Sequence, residues 1–186
     1  MLGLVNRGLE SFVRDLHGET AWHEIRSRVP NAPEKFEALL QYPWAVTAGL
    51  IAGVAEYSNV SEDEILEDLG TYAVTDLWDS KLRRIFLFCG GCFDEFLHGL
   101  GDLFRALEDT HSAFVAKSWT LKSEGSGIYF LVYSGSLNGL GPVVSGILRS
   151  LADQYGALAT LTHHMPSGGP AREVFEITIH NDPRAV

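Results

Sequence analysis

The apolar positions of the first half of the chain recur every three to four residues. Leu2, Val5, Leu9, Phe12, Val13 and Leu16 form one such stripe, and Gly18 stands where a left-handed cap would end the helix. Thr20 is placed to cap a second helix carrying Trp22, Ile25 and Val29, which Pro30 closes. Residues 31–43 are polar and proline-bearing, with a short helix expected at 36–40. Residues 45–58 predict a helix of small apolar side chains suited to close packing. Ser61 and Glu64 have capping-box spacing ahead of the stripe Ile65, Leu66, Leu69 and Tyr72. After Gly90-Gly91 the pattern predicts another helix, on Phe93, Phe96, Leu97, Leu100, Leu103, Phe104 and Leu107.

The period then changes. Residues 114–122 and 127–133 predict two strands about a Ser-Glu-Gly-Ser turn. Residues 140–155 predict a helix on Leu140, Val143, Val144, Ile147, Leu148 and Leu151, ended by Gly156. Residues 157–164 and 173–180 predict a last strand pair around Ser167-Gly168-Gly169. Helices first, then an antiparallel sheet with an inserted helix, is an α+β layout. With no repeat and no dividing linker, one domain over residues 1–186 is expected.

Composition narrows the function classes. Of 186 residues 46% are hydrophobic and 20% charged, the balance of a folded domain, and the formal net charge is −10. That sign argues against sequence-independent nucleic-acid binding and against docking on an anionic membrane. Two cysteines are too few for a disulfide scaffold. The start MLGLVNRGLESF lacks the layout of a signal peptide, and the longest mostly apolar stretch, 44–55, is too short to span a bilayer. A soluble, cytoplasmic protein is the expectation.

The sharpest short motif is Cys89-Gly90-Gly91-Cys92, between the strand-like Ile85-Phe86-Leu87-Phe88 and a helix start. Helix-terminal amides there would stabilise a thiolate, which makes Cys89 and Cys92 redox candidates; the plain alternative is a glycine turn edged by buried cysteines. The seven histidines include no HExxH pair. His98 shares a helix face with Asp94 and Asp102, four residues to either side, and a solvated, charge-compensated face is expected. His163 and His164 adjoin on a strand and so point to opposite faces, which argues against joint ligation of a metal. No phosphate loop, dinucleotide fingerprint or serine elbow is present. Residue chemistry alone yields no enzyme and no metal site.

Taken in order, the elements resemble the H-NOX (haem nitric oxide/oxygen-binding) family, which includes the sensor domain of the soluble guanylate cyclase β subunit. The opening Met1-Leu2-Gly3-Leu4-Val5-Asn6 is similar to the family's Met-x-Gly-x-x-Asn. Gly18-Glu19 ahead of Trp22 matches its Gly-x-x-x-Trp, and residues 60–70 match a segment ending in Phe-Gly. Glu95-Phe96-Leu97, Leu100 and Leu103 match the run leading into the haem-ligating histidine. Gly139-Leu140 with Val144, Gly146, Ile147 and Leu148 match the helix after the propionate motif.

The resemblance implies a haem cofactor, a pocket beside Val5 and Leu100, and signalling to a histidine kinase or a diguanylate cyclase. The family's iron ligand falls on Phe104, which has no lone pair to donate. Its propionate motif Tyr-x-Ser-x-Arg falls on Tyr133, Gly135 and Leu137, so the hydroxyl and the guanidinium clamp are replaced. The prolines after the ligand helix are replaced too, with Ser112 and Lys117 nearest. His98 lies about 240° around a helix from Phe104, so His111, roughly 10 Å farther along, is the substitute ligand candidate. The expectation is a stand-alone sensor or ligand-binding module with the usual haem ligation lost or altered, holding an apolar ligand or none. The alternatives are a thiol-disulfide protein using Cys89 and Cys92, or a haem gas sensor with non-standard ligation.

Overall fold

The computed structural model describes residues 1, 3–77, 90–100, 119–135, 139–167 and 171–183. Helix α1 runs Gly3–Ser27 as one element, with non-helical angles at Gly18 (φ 87°, ψ 171°). The two helices expected there are thus present, joined end to end within α1 across a break at Gly18, the residue that reaches positive φ without a Cβ clash. Helix α2, Trp44–Ser58, ends on Asn59 in the left-handed conformation. Helix α3, Glu62–Tyr72, begins with both halves of the Ser61–Glu64 capping box and continues into one π-helical turn, Ala73–Leu77.

The short helix expected at 36–40 is absent; that segment forms turns and bends. Its carbonyls serve the start of α1 instead, since the Gly3 amide donates to Leu40 O at 2.8 Å and the Leu4 amide to Ala38 O at 2.9 Å. A helix N-terminus leaves its first amides without intrahelical partners, and this loop supplies acceptors for two of them. Phe36 fills the space under the loop, edge-on to Trp22 and to Tyr42.

A further helix, α4, is described over residues 93–100. Strands β1 (Trp119–Gly125) and β2 (Ile128–Tyr133) form a hairpin, helix α5 spans Gly141–Tyr155, and β3 (Leu158–His164) pairs with β4 (Glu173–Asn181). The hairpin turns at Ser126-Gly127, two residues later than the Ser123–Ser126 turn expected, and both residues have positive φ (52° and 76°), as a tight hairpin turn needs. Residues 114–118 of the first expected strand lie outside the described residues. The sheet is antiparallel, in the order β1-β2-β4-β3.

Two apolar cores result. Leu9, Phe12, Trp22, Ile25, Leu50, Val54, Ile65 and Leu69 gather α1, α2 and α3 into the first. Across it the Thr47 hydroxyl donates to Asn6 Oδ1 at 2.8 Å, with both residues fully buried. The second core lies between one face of the sheet (Tyr129, Leu131, Phe175, Ile177) and the helices α4 (Phe93, Phe96, Leu97) and α5 (Leu148, Leu151, Tyr155). Helix α5 joins the two: Leu140 and Val143 pack on the first core, Val144 and Ile147 on the second.

Candidate functional site

Alternation along the strands sets which side chains face α4 and α5. On β4 the inward row is Glu173, Phe175, Ile177; on β2 it is Tyr129, Leu131, Tyr133; on β3 it ends in His163. At the end of the sheet nearest the 134–140 connection, these rows bring together an aromatic layer. The Trp119 ring lies 4.9 Å from Tyr133 and 6.2 Å from Phe175, and His163 stacks on Phe175 at 4.6 Å and 8°.

Glu173 is the register partner of Tyr133 and is only 2% exposed. Its Oε2 lies 3.0 Å from His163 Nε2, a contact in which the ring nitrogen must carry the proton, since a carboxylate only accepts. Gly141, the first residue of α5, closes over this pair. A methyl group on it would overlap the His163 ring and come within 2.7 Å of Glu173 Oε2. Gly135 is constrained in the same way, with φ 155°; a methyl group there would sit 2.9 Å from Cε1 of Tyr133.

A second polar group forms at the start of α4. The Cys92 sulfur accepts from the Glu95 amide at 3.4 Å, Asp182 Oδ2 accepts from the Asp94 amide at 3.1 Å, and Glu95 Oε2 accepts from the Gly91 amide at 2.7 Å. Buried Tyr129 donates its hydroxyl to Asp94, and the same oxygen lies 3.1 Å from His98 Nε2. The face expected to be merely solvated is therefore tied to the sheet: His98 is exposed, but its ring edge rests on Tyr129 at 5.3 Å. Burial pushes the Tyr129 hydroxyl up, and the Asp94 carboxylate adds to that. Burial also raises the Cys92 thiol, and Asp182, Glu95 and Asp94 push the same way. That is the reverse of what a reactive thiolate requires.

The other expected positions divide. Val5 is half-buried on α1, and Leu100 is buried at the end of the described part of α4, in the second core. His163 and His164 do take opposite faces, the latter 3.5 Å from Glu176 on the outer side. Cys89, Asp102, Phe104, His111 and Leu137 lie outside the described residues. Among the described residues there is no cluster of three metal-ligating side chains, and no helix is long and apolar enough to cross a membrane. Glu173 and Tyr129 escaped the sequence reading. The signal for Glu173 was present: in Glu173-Val174-Phe175-Glu176-Ile177, strict alternation puts the first glutamate on the apolar face with Phe175 and Ile177.

Comparison with known proteins places this arrangement. Over 154 residues the chain is 21% identical to soluble guanylate cyclase gcy-31 of Caenorhabditis elegans, a match covering 83% of this chain but 22% of that protein. Among solved structures, an H-NOX protein from S. oneidensis in the Fe(II)NO state superposes with a TM-score of 0.75 at 16% identity, covering 97% of this chain and all of that one. An unliganded Fe(II) H-NOX protein from K. algicida gives 0.75 at 13% identity, with 98% of each chain covered. These likenesses establish the fold: a helical first half and an antiparallel sheet with α5 inserted. The family model described as haem-NO-binding matches residues 2–163, and the chain belongs to that family.

Proposed function

We propose that this chain is a sensor or ligand-binding module of the haem-NO-binding family in which the usual haem attachment is lost. The observation that carries the reading is the Tyr133–Gly135 turn. A serine at 135 would have to place its Cβ 2.9 Å from the Tyr133 ring, and that ring is itself packed on Trp119. To admit the hydroxyl that the family's propionate motif uses, the Tyr133 ring would have to shift against Trp119. The sequence supports the same conclusion at Phe104 and Leu137, where a lone pair for iron and a cation for a carboxylate are both missing. Where haem does bind, it supplies the iron that captures the gas. Phe104, Gly135 and Leu137 do not fit that group.

The pocket that the family places beside Val5, half-buried on α1, and Leu100, buried in the second core, would then take an apolar ligand or be filled by its own side chains. Signalling would then pass to an output partner such as a histidine kinase or a diguanylate cyclase. The thiol-disulfide alternative gains no support from Cys92, whose thiol is buried and raised. Haem titration of the purified protein, followed by absorption, tests the proposal. The expected result is no stoichiometric Soret band; a one-to-one band that shifts with nitric oxide would overturn it.

A further inference from the structure

The two outer strands of the sheet differ in kind. Strand β1 carries Lys122 and Glu124, charges of the sort that keep an edge from pairing with another chain. Strand β3 carries no Asp, Glu, Lys or Arg, and none occurs anywhere between Asp153 and Arg172. In a chain of net charge −10 that is a long neutral stretch. The edge it forms is open. The Ile179 amide donates to Gly127 O, towards β2, so the backbone groups of Ala159, its register partner on β3, point away from β4. Alternation turns those of Leu161 and His163 to the same side, where no backbone group among the described residues bonds them. The side chains agree. Ala159, Leu161 and His163 face the core side yet are only half-buried, whereas Phe175 and Ile177 beside them on β4 are 1% and 0% exposed. The register shift of β3 lies at its start, between Leu158 and Ala159, and leaves the rest of the strand regular.

We infer that β3 pairs antiparallel with β3 of a second copy of this chain, about a two-fold axis at Leu161, so that two sheets become one. The sequence of the strand suits that symmetry. Leu161 meets Leu161 of the other copy and Ala159 meets its His163, so the residues whose amides and carbonyls point outward fall opposite one another. On the outer face Thr160 meets Thr162 of the other copy, a cross-strand pair that stabilises antiparallel strands. The neutral stretch is what lets two acidic chains meet here, since no charged side chain of β3 stands opposite its like. A self-complementary patch repeated about a two-fold axis is also the commonest form of association between identical chains.

Sedimentation velocity of the whole chain from about 1 to about 100 µM tests the inference. The expected result is a monomer–dimer equilibrium within that range. A chain monomeric throughout, as it would be were the edge kept for a strand of another protein, overturns it. Thr160→Lys/Thr162→Lys sets lysine against lysine on exposed positions and should weaken the dimer at least about tenfold, although the added lysines bring the net charge nearer zero. Thr160→Glu/Thr162→Glu should do the same, and an equimolar mixture of the two variants should recover the dimer. Circular dichroism establishes that each variant is folded. A dimer undiminished by the lysines, or a mixture no more associated than its parts, overturns the inference. Neither variant touches the Tyr133–Gly135 turn, so the outcome is independent of haem uptake.

Discussion

Tyr129 carries more consequence than its place in a short strand suggests. Its phenol is 3% exposed, donates to Asp94 and meets His98. Burial, the first cause, and then the Asp94 charge raise its pKa above that of an unfolded chain. A raised acid contributes stability that is complete below the unfolded value, about pH 10, and is lost as pH rises beyond it. Tyr129→Phe is therefore expected to cost about 1–2 kcal/mol at neutral pH, the usual scale for a buried hydroxyl whose partners are left behind. The variant should also show a shallower decline in stability between pH 9 and pH 11; urea melts across that range measure both effects. A decline as steep as in the parent would assign it to other groups. None of this was visible locally. Helical spacing put Asp94 beside His98, and strand spacing put Tyr129 beside Leu131, but only the packing of α4 on the sheet makes the three one unit. Glu173 differs, since a charge on the apolar face of an alternating strand is a signal that sequence does carry.

Elements were legible where periodicity and end signals agreed. Helices α2, α3 and α5 and strands β2, β3 and β4 lie within a residue or so of their expected limits. The Ser61–Glu64 box is present as read, with the Glu64 amide donating to the Ser61 hydroxyl at 3.2 Å and the Ser61 amide to Glu64 Oε2 at 2.9 Å. The Ser61 hydroxyl, followed by its amide, holds the Glu64 carboxyl below its ordinary value. A lowered carboxyl contributes above its unfolded pKa, and that contribution fades as pH falls through the carboxylate range. Ser61→Ala should accordingly lower stability by about 1 kcal/mol at pH 7, the usual cost of losing such a cap. The difference from the parent should shrink by pH 3, which circular-dichroism melts at the two values can establish. Residues 36–40 misled because their apolar spacing came from Phe36 filling the first core, while the backbone was already committed as acceptor for α1. Tertiary hydrogen bonding overrode a weak local pattern there, as it did not in α3.

At the scale of the molecule, the contact joining the two cores is a seam of backbone against backbone. A methyl group at Gly70 of α3 would overlap the carbonyl oxygen of Val143 on α5, and one at Gly146 would overlap that of Glu67. Arg149 reaches back from α5 to pair with Glu67 beside the same seam. Small residues here let α3 and α5 touch closely, and Leu140 and Val143 enter the first core only because of that approach. Gly70→Ala should thus act differently from an ordinary overpacked site. Neither rigid backbone has room to yield, so the helices must separate, at a cost of about 2 kcal/mol or more. The loss falls on coupling as well as stability. The calorimetric enthalpy should exceed the van't Hoff value, and amide exchange in α2 should no longer track exchange in β2 and β4. A single coincident transition at the parent's midpoint would mean the cores are joined elsewhere. If the cores do uncouple, then among the described residues this seam, together with Val74 of the turn that continues α3 into the second core, is what carries a packing change in the second core to α3.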